Sequence, residues 1–408
     1  MNGHTRRICV TGCGVVSPLG DTVGDFADEL FAGRSAVRGE TLELPGAAPM
    51  VVPLARCGFD AAGVRAPSRL PLDRGSAMAL AAAERAARAA DWQPGDGDAE
   101  RVGVFWGSGM GGAASFDATC RAVYEGHQRI RPTAVVTAMP NAALAELALR
   151  FEARGLALAY ACACASGAVA IGEAMRALRD GRIDVAIAGG SEALLAPGVI
   201  GAWQALRVLA PLDGDAGAAC RPFAADRAGF ALGEGAAAFV LETHAHARRR
   251  GAGWRFVLSG FGMSCDARHM TQPDPDGQAR AMSAALRDAG LAPADIGHVN
   301  THGTATTAGD AAEAESLQRS FGRTPPATAT KAVTGHLLGA GGALELLATL
   351  CALERGAAPP AGRVKAADPT LGIDLVCGAP RELPGLRHAM SNSFAFGGTN
   401  AVLVASCA

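Results

Sequence analysis

Residues 156–181, LALAYACACASGAVAIGEAMRALRDG, pass from an apolar, strand-like run (Leu156 to Ala161) directly into a helical pattern. Ala168, Ile171, Met175 and Leu178 recur at spacings of three and four, and Gly181 is a natural helix stop. At the junction stands Cys164, in Ala163-Cys164-Ala165-Ser166-Gly167. A helix N-terminus offers unbonded N–H groups and the positive end of the helix dipole. A thiol placed there is expected below its ordinary pKa, as a nucleophile. The plainer reading is a buried structural cysteine, since this residue type is common in cores. Two histidines far along the chain decide between them.

Outward from this stretch, strand-like and helical runs alternate. The strands expected are Ile8–Val15, Val102–Trp106, Val185–Ala188, Ala237–Leu241, Phe256–Gly260, Gly297–Asn300, Ala389–Asn392 and Ala401–Ser406. Between them lie helical runs at Ser76–Ala90, Ala142–Glu152, Ser166–Asp180, Gln278–Ala289, Ala311–Ser320 and Gly341–Arg355. The alternation predicts an α/β protein with mainly buried strands. A weak internal repeat accompanies it: Cys164 opens one apolar helix ending at Gly181, and His336 opens another ending at Gly356. Arg248-Arg249-Arg250-Gly251 marks the expected seam, giving halves 1–250 and 251–408. Two such halves, each burying a central helix, bring Cys164 and His336 together near a shared axis.

Bulk properties narrow the class. The 408 residues suffice for two fused halves, and 49% hydrophobic with 19% charged residues is globular. A net charge of −2 gives no attraction for nucleic acid or an anionic membrane. The 11 cysteines, an odd number spread along the whole length, argue for reduced thiols and a cytoplasmic enzyme. The start, Arg6-Arg7 before Ile8-Cys9-Val10-Thr11-Gly12, is too short and glycine-broken for a signal segment and reads as a first strand. The apolar stretch Leu337 to Leu353 carries Gly339, Gly341, Gly342 and Glu345, and so reads as a buried helix rather than a membrane span. No metal is expected, because the Cys162-Ala163-Cys164 pair has no second cysteine pair to complete a site.

Gly107-Ser108-Gly109-Met110-Gly111-Gly112 fits a dinucleotide-binding glycine pattern after a strand. Ala113 to Asp117 make a poor helix start, and no strand ending in an acidic residue follows at the required distance. A tight glycine turn beside a pocket is the better reading. His302 stands in Asn300-Thr301-His302-Gly303-Thr304-Ala305-Thr306, at the end of a strand, where α/β proteins place catalytic groups. His336 ends Lys331-Ala332-Val333-Thr334-Gly335-His336, at the mouth of the second central helix. Either histidine alone reads as structural; with Cys164 they make a Cys-His-His constellation. Glu345 lies within an apolar helix and needs a partner, for which Lys331 is the nearest cation. Asp266 and His269 read as supports for a loop. The glycines of Ser393-Phe394-Ala395-Phe396-Gly397-Gly398-Thr399-Asn400 permit close backbone approach, so an N–H there could meet that of Cys164 around one oxyanion.

Together these segments resemble the β-ketoacyl-ACP synthases of the elongating type: synthase II and the related type II polyketide ketosynthases. The Ala-Cys-x-Ser-Gly, His-Gly-Thr, Lys-x-x-Thr-Gly-His and Phe-Gly-Gly-Thr-Asn segments occur in family order over nearly the whole chain. The resemblance implies a thiolase fold, two similar halves in five layers α-β-α-β-α, usually dimeric, as a homodimer or with a chain-length subunit. It implies that Cys164 carries the acyl chain, that His302 and His336 act on the malonyl thioester, and that Lys331 and Glu345 belong to the catalytic group. Thr304 and Thr306 match positions binding the phosphopantetheine arm; the N–H groups of Cys164 and Phe396 match the oxyanion hole, with Phe396 also a gating aromatic. Met110 and Trp203 match the acyl pocket. No cofactor is implied beyond the arm of the acyl carrier protein, which is the expected partner.

The chain departs from the fatty-acid enzymes in two places. Arg69-Leu70-Pro71-Leu72-Asp73 lacks their dense basic pattern for an acidic carrier, leaving Arg65, Arg69 and Arg74 as substitutes. Pro132-Thr133-Ala134-Val135-Val136 puts small residues where they have bulky aromatics. Both favour a specialised carrier or chain, as in a polyketide or polyene pathway with a chain-length partner. A non-elongating thiolase-fold acyltransferase is the remaining alternative; a thiolase proper needs a second catalytic cysteine, for which Cys377 is a weak candidate.

Overall fold

The computed structural model describes residues 7–44, 46, 48–126, 129–212 and 214–408; Arg6 and the other first residues lie outside the described residues. Ten strands form one sheet. They are β1 Ile8–Val16, β2 Val102–Gly107, β3 Ala157–Tyr160, β4 Val185–Glu192, β5 Gly235–Thr243, β6 Phe256–Cys265, β7 His298–Asn300, β8 Ala327–Thr328, β9 His388–Phe394 and β10 Thr399–Cys407. Their order is β8-β7-β9-β10-β6-β1-β5-β4-β2-β3. The order is symmetric about the central β6-β1 pair, which meets over only three residue pairs, Ile8 to Val10 against Leu258 to Phe256. Five strands on each side repeat one topology: β1 with β6, β5 with β10, β4 with β9, β2 with β7, β3 with β8.

Two apolar helices, α3 Ser166–Arg179 and α6 Gly341–Arg355, pack against each other and against strands of both halves of the sheet. Every residue of α6 from Gly341 to Leu353 is buried, as expected of the central layer. Small residues make their contact possible: a Cβ on Gly342 would lie 2.8 Å from the Ala168 Cβ. Outside one half of the sheet lie α1 Arg74–Ala89 and α2 Ala142–Arg150, sharing a core with β1, β2, β4 and β5. Outside the other lies α4 Pro275–Ala289, sharing a core with β7, β9 and β10, with α5 Thr307–Phe321 beside it. The five layers are therefore α-β-α-β-α, the thiolase fold. No described helix is long and apolar enough to cross a membrane.

Several strands run further than their apolar residues predict. β4 continues through Gly189 and Gly190 to Glu192, and β6 through Gly260 and Gly262 to Cys265. Glycine is needed where a helix lies on the strand: a Cβ on Gly262 would stand 2.1 Å from the Ala281 carbonyl of α4. A helix at Ala113–Tyr124 corrects the reading of that segment as a poor helix start. It begins at Gly112 without a side-chain cap and buries none of its residues, so neither start signal nor apolar stripe marks it.

The repeat between the central helices is visible, with an offset. Each helix is preceded by one 3₁₀ turn, Ala163–Ala165 before α3 and Leu338–Ala340 before α6. The first residue of each turn has positive φ, 46° at Ala163 and 48° at Leu338. Cys164 is thus the counterpart of Gly339, and His336 stands three residues before that position.

Candidate active site

Cys164 is set by its own turn. The Ser166 hydroxyl accepts from the Cys162 N–H at 2.8 Å and donates to the Ala163 carbonyl at 2.7 Å, closing a loop around the thiol. His336 comes from the turn opening α6, and His302 from the end of β7. The His336 Nε2 is 3.1 Å from the Cys164 Sγ. The rings of His302 and His336 stand edge to face with centroids 5.4 Å apart. The three donor atoms of Cys164, His302 and His336 lie within 4.8 Å of one another, the one group of this kind found among the described residues. Thiolate and imidazole suit a soft metal ion, but the Lys331 ammonium beside the group opposes a further cation.

Hydrogen bonds assign both tautomers. Lys331 Nζ donates to His302 Nδ1 at 3.2 Å and also to the His302 carbonyl. The Leu338 N–H donates to His336 Nδ1 at 3.2 Å. Each ring therefore accepts at Nδ1 and carries its proton on Nε2, the nitrogen turned towards the sulfur in His336. Burial, together with the Lys331 charge, holds both imidazoles well below their ordinary pKa and so neutral. Lys331 is itself ion-paired to Glu345, the partner expected from sequence. Burial pushes the Glu345 carboxyl up to about 7 against that cation.

Cys164 departs from expectation in one respect. Burial outweighs its position ahead of α3 and pushes the thiol up to about 11, although the Lys331 charge and a hydrogen bond from the Phe396 N–H pull it down. The resting group is a thiol. Phe396 stacks on Trp203 with centroids 6.2 Å apart. Trp203 also meets Phe230 edge-on at 5.8 Å, and Phe230 meets His336 at 5.1 Å. A cavity of about 300 Å³ reaches the sulfur, lined by Cys164, Trp203, His302, Thr304, Thr306 and Phe396 among others. The Thr304 and Thr306 hydroxyls lie 2.9 Å apart along it. Asp266 and His269 border the same cavity as loop supports. Asp266 accepts from Asn400 Nδ2 at 2.7 Å, and His269 Nδ1 accepts from the Thr271 N–H at 3.1 Å.

Residues 5–247 match the Beta-ketoacyl synthase, N-terminal domain, and residues 255–365 the Beta-ketoacyl synthase, C-terminal domain. The chain belongs to the β-ketoacyl synthase family. It is 37% identical to "3-oxoacyl-[acyl-carrier-protein] synthase 2" of Coxiella burnetii over 98% of each chain. It is 38% identical, with the same coverage, to "Nodulation protein E" of Rhizobium meliloti. Among solved structures, a beta-ketoacyl synthase from Burkholderia phymatum superposes with a TM-score of 0.87 at 33% identity, covering 98% of this chain and 99% of that one. The ishigamide ketosynthase/chain length factor superposes at 0.88 with 30% identity and the same coverage. The protein is accordingly an acyltransferase of the ketosynthase type.

The fold does not gather every residue expected at the ketosynthase site. Met110 is 45% exposed and lies outside the cavity that Trp203 lines, so the two do not share one pocket floor. Arg74 is not a free surface cation, since it pairs with the buried Glu234 at 2.8 Å; Arg65 and Arg69 remain exposed. Cys377 is half-buried and does not line the cavity.

Two acidic residues missing from the sequence analysis build the His302 turn. Glu313 accepts the N–H groups of His302 at 2.8 Å and Gly303 at 2.7 Å, and the Asn392 amide at 3.1 Å. Asp310 accepts from Thr304 N–H at 2.9 Å and Phe223 N–H at 2.6 Å. Their signal was the three-residue spacing on α5, which places both carboxylates on one face beneath the turn.

Proposed function

We propose that the protein is an elongating β-ketoacyl-[acyl-carrier-protein] synthase. Cys164 attacks the thioester of an acyl-carrier protein, its proton leaving on the carrier thiol, and holds the chain as an acyl-enzyme. A malonyl carrier then enters the same cavity. The Nε2–H groups of His302 and His336 donate to its thioester carbonyl, CO₂ leaves, and the resulting enolate attacks the acyl carbonyl. The Cys164 thiolate departs and recovers a proton. The N–H groups of Cys164 and Phe396 hold the oxyanion of each tetrahedral intermediate. Thr304 and Thr306 bind the phosphopantetheine arm, and Lys331 and Glu345 fix His302. The observation that carries this reading is the pair of neutral Nε2–H imidazoles beside one buried thiol. A mixture of acyl-ACP and malonyl-ACP should yield β-ketoacyl-ACP two carbons longer by mass spectrometry; malonyl loss without that product sinks it.

No cofactor beyond the carrier arm takes part in these steps. We place the enzyme in the cytoplasm, supported by eleven cysteines that are all free, and divide it into halves 1–250 and 251–408. A second copy or a chain-length subunit is the assembly partner. β3 is an unpaired sheet edge with an exposed Leu158, and Met110, Phe116, Val135 and Met139 are also exposed large apolar residues. The chain-length subunit is favoured by the likeness to the ishigamide pair and by the small residues at 132–136.

Met110 and Trp203 then act differently. Met110→Ala should shift acylation towards longer chains by about 1–3 kcal/mol of preference. Trp203→Ala, which removes the ring stacked on Phe396 in the cavity wall, should raise KM for ACP-linked substrates and leave the length profile alone. Acyl-enzyme yields across a chain-length panel check both; an unmoved profile in Met110→Ala with a lower melting temperature assigns that residue to packing.

A further inference from the structure

One buried carboxylate beside this centre takes no part in the chemistry above. Glu192 ends β4 and is 1% exposed. Its Oε1 accepts from the Ser108 hydroxyl at 2.9 Å and the Met110 N–H at 3.3 Å. Its Oε2 accepts from the Gly109 N–H at 2.5 Å and the Gly339 N–H at 3.0 Å. Two turns from opposite halves of the molecule therefore close on it. The fit excludes side chains: a Cβ on Gly339 would lie 2.1 Å from the Gly109 nitrogen and 2.5 Å from Glu192 Oε2. Among the described residues no lysine, arginine or histidine forms an ion pair with Glu192, and burial pushes its carboxyl up to about 7 against the four donors.

The Gly339 contact reaches the reacting atoms in three steps. Gly339 belongs to the Leu338–Ala340 turn, where Leu338 has a φ of 48°. The Leu338 N–H fixes His336 Nδ1, and His336 Nε2 faces the Cys164 sulfur. Released from Glu192, the left-handed Leu338 has a reason to relax, and its N–H leaves the imidazole. We propose that Glu192 is a positioning residue, whose carboxylate clamps the Ser108–Met110 turn to the Leu338–Ala340 turn and so holds His336 with its Nε2–H on Cys164. The inference rests on the Cys-His-His reading above.

Glu192→Gln tests it, because the amide keeps the size but sets an –NH₂ against N–H donors. The condensation kcat should fall about tenfold to a hundredfold, the scale of a misplaced group, with KM for malonyl-ACP unchanged. A second readout moves the other way. The Glu192 and Glu345 charges raise the Cys164 thiol while Lys331 lowers it, and the neighbouring His302 and His336 are neutral. Removing one negative charge should shift the pH midpoint of Cys164 alkylation by iodoacetamide downward, so the variant alkylates faster at fixed pH while condensing more slowly. An unchanged kcat, or a lower kcat with an unmoved alkylation midpoint, overturns the proposal. Should Glu192→Gln not fold, Ser108→Ala, which withdraws one donor from the same carboxylate, should lower kcat at unchanged KM; wild-type kcat there overturns it equally. An inactive wild type in the same assay refutes the ketosynthase reading instead.

Discussion

Cys164→Ala should abolish acyl-enzyme formation and condensation completely while leaving a folded protein. The sulfur is the one nucleophile that the cavity delivers to both imidazoles and to the Phe396 N–H. Its replacement removes a single buried atom from a turn held by Ser166, so the melting temperature should move little. Intact mass spectrometry after mixing with acyl-ACP should show one adduct on the wild type and none on the variant. The imidazoles remain neutral donors in Cys164→Ala, so malonyl-ACP should still lose CO₂ there, giving acetyl-ACP. Cys162 is the internal control: it is half-buried, its thiol is pushed up by burial, and it does not line the cavity. An adduct that persists on Cys162 in the variant rejects Cys164 as the nucleophile.

The parts of this centre legible in the sequence were those that sit at element ends. Cys164, His302 and His336 each follow or precede a clear periodic run, and Lys331 is the nearest cation to a carboxylate buried in an apolar helix. Two glycine-bounded apolar helices pointed to two α/β halves with buried central helices, while the five-layer order came from the family resemblance carried by the motifs. What stayed hidden depends on distance in the chain. Glu192 looks like the polar end of a strand, and only the fold brings Gly339, 147 residues away, onto it. Glu313 and Asp310 resemble the solvated face of a helix, yet both are buried under backbone N–H groups. Met110 stands apart from Trp203, which the motif match did not reveal, because such a match fixes neighbours in sequence and not which side of a turn a side chain occupies. The thiol shifts upward rather than downward because the helix terminus was visible in the sequence and the burial that overrides it was not.

His302→Ala and His336→Ala should each accept an acyl chain on Cys164 and fail at decarboxylation, by about 10²–10³ in rate. Each variant deletes one Nε2–H aimed at the developing enolate oxygen, and a lost donor in a dry site costs that order. Acylation needs neither as a base, because both Nε2 atoms already carry protons in the tautomers fixed by Leu338 and Lys331. The same assignment sets the pH behaviour. Burial lowers both imidazoles well below 6.5, so they do not gain a proton as pH falls from 8 to 6.5. The imidazoles therefore add no titration of their own across that window, whereas an exposed histidine would be half protonated at its lower end; a fall in wild-type rate towards pH 6.5 should follow the Glu192 and Glu345 carboxyls, each pushed up by burial to about 7. Single-turnover ¹⁴CO₂ release from malonyl-ACP, set beside acyl-adduct mass for each variant, separates the two half-reactions. If both variants lose acylation while malonyl decarboxylation survives, the imidazoles serve the thiol rather than the enolate, and the roles given to His302 and His336 are reversed.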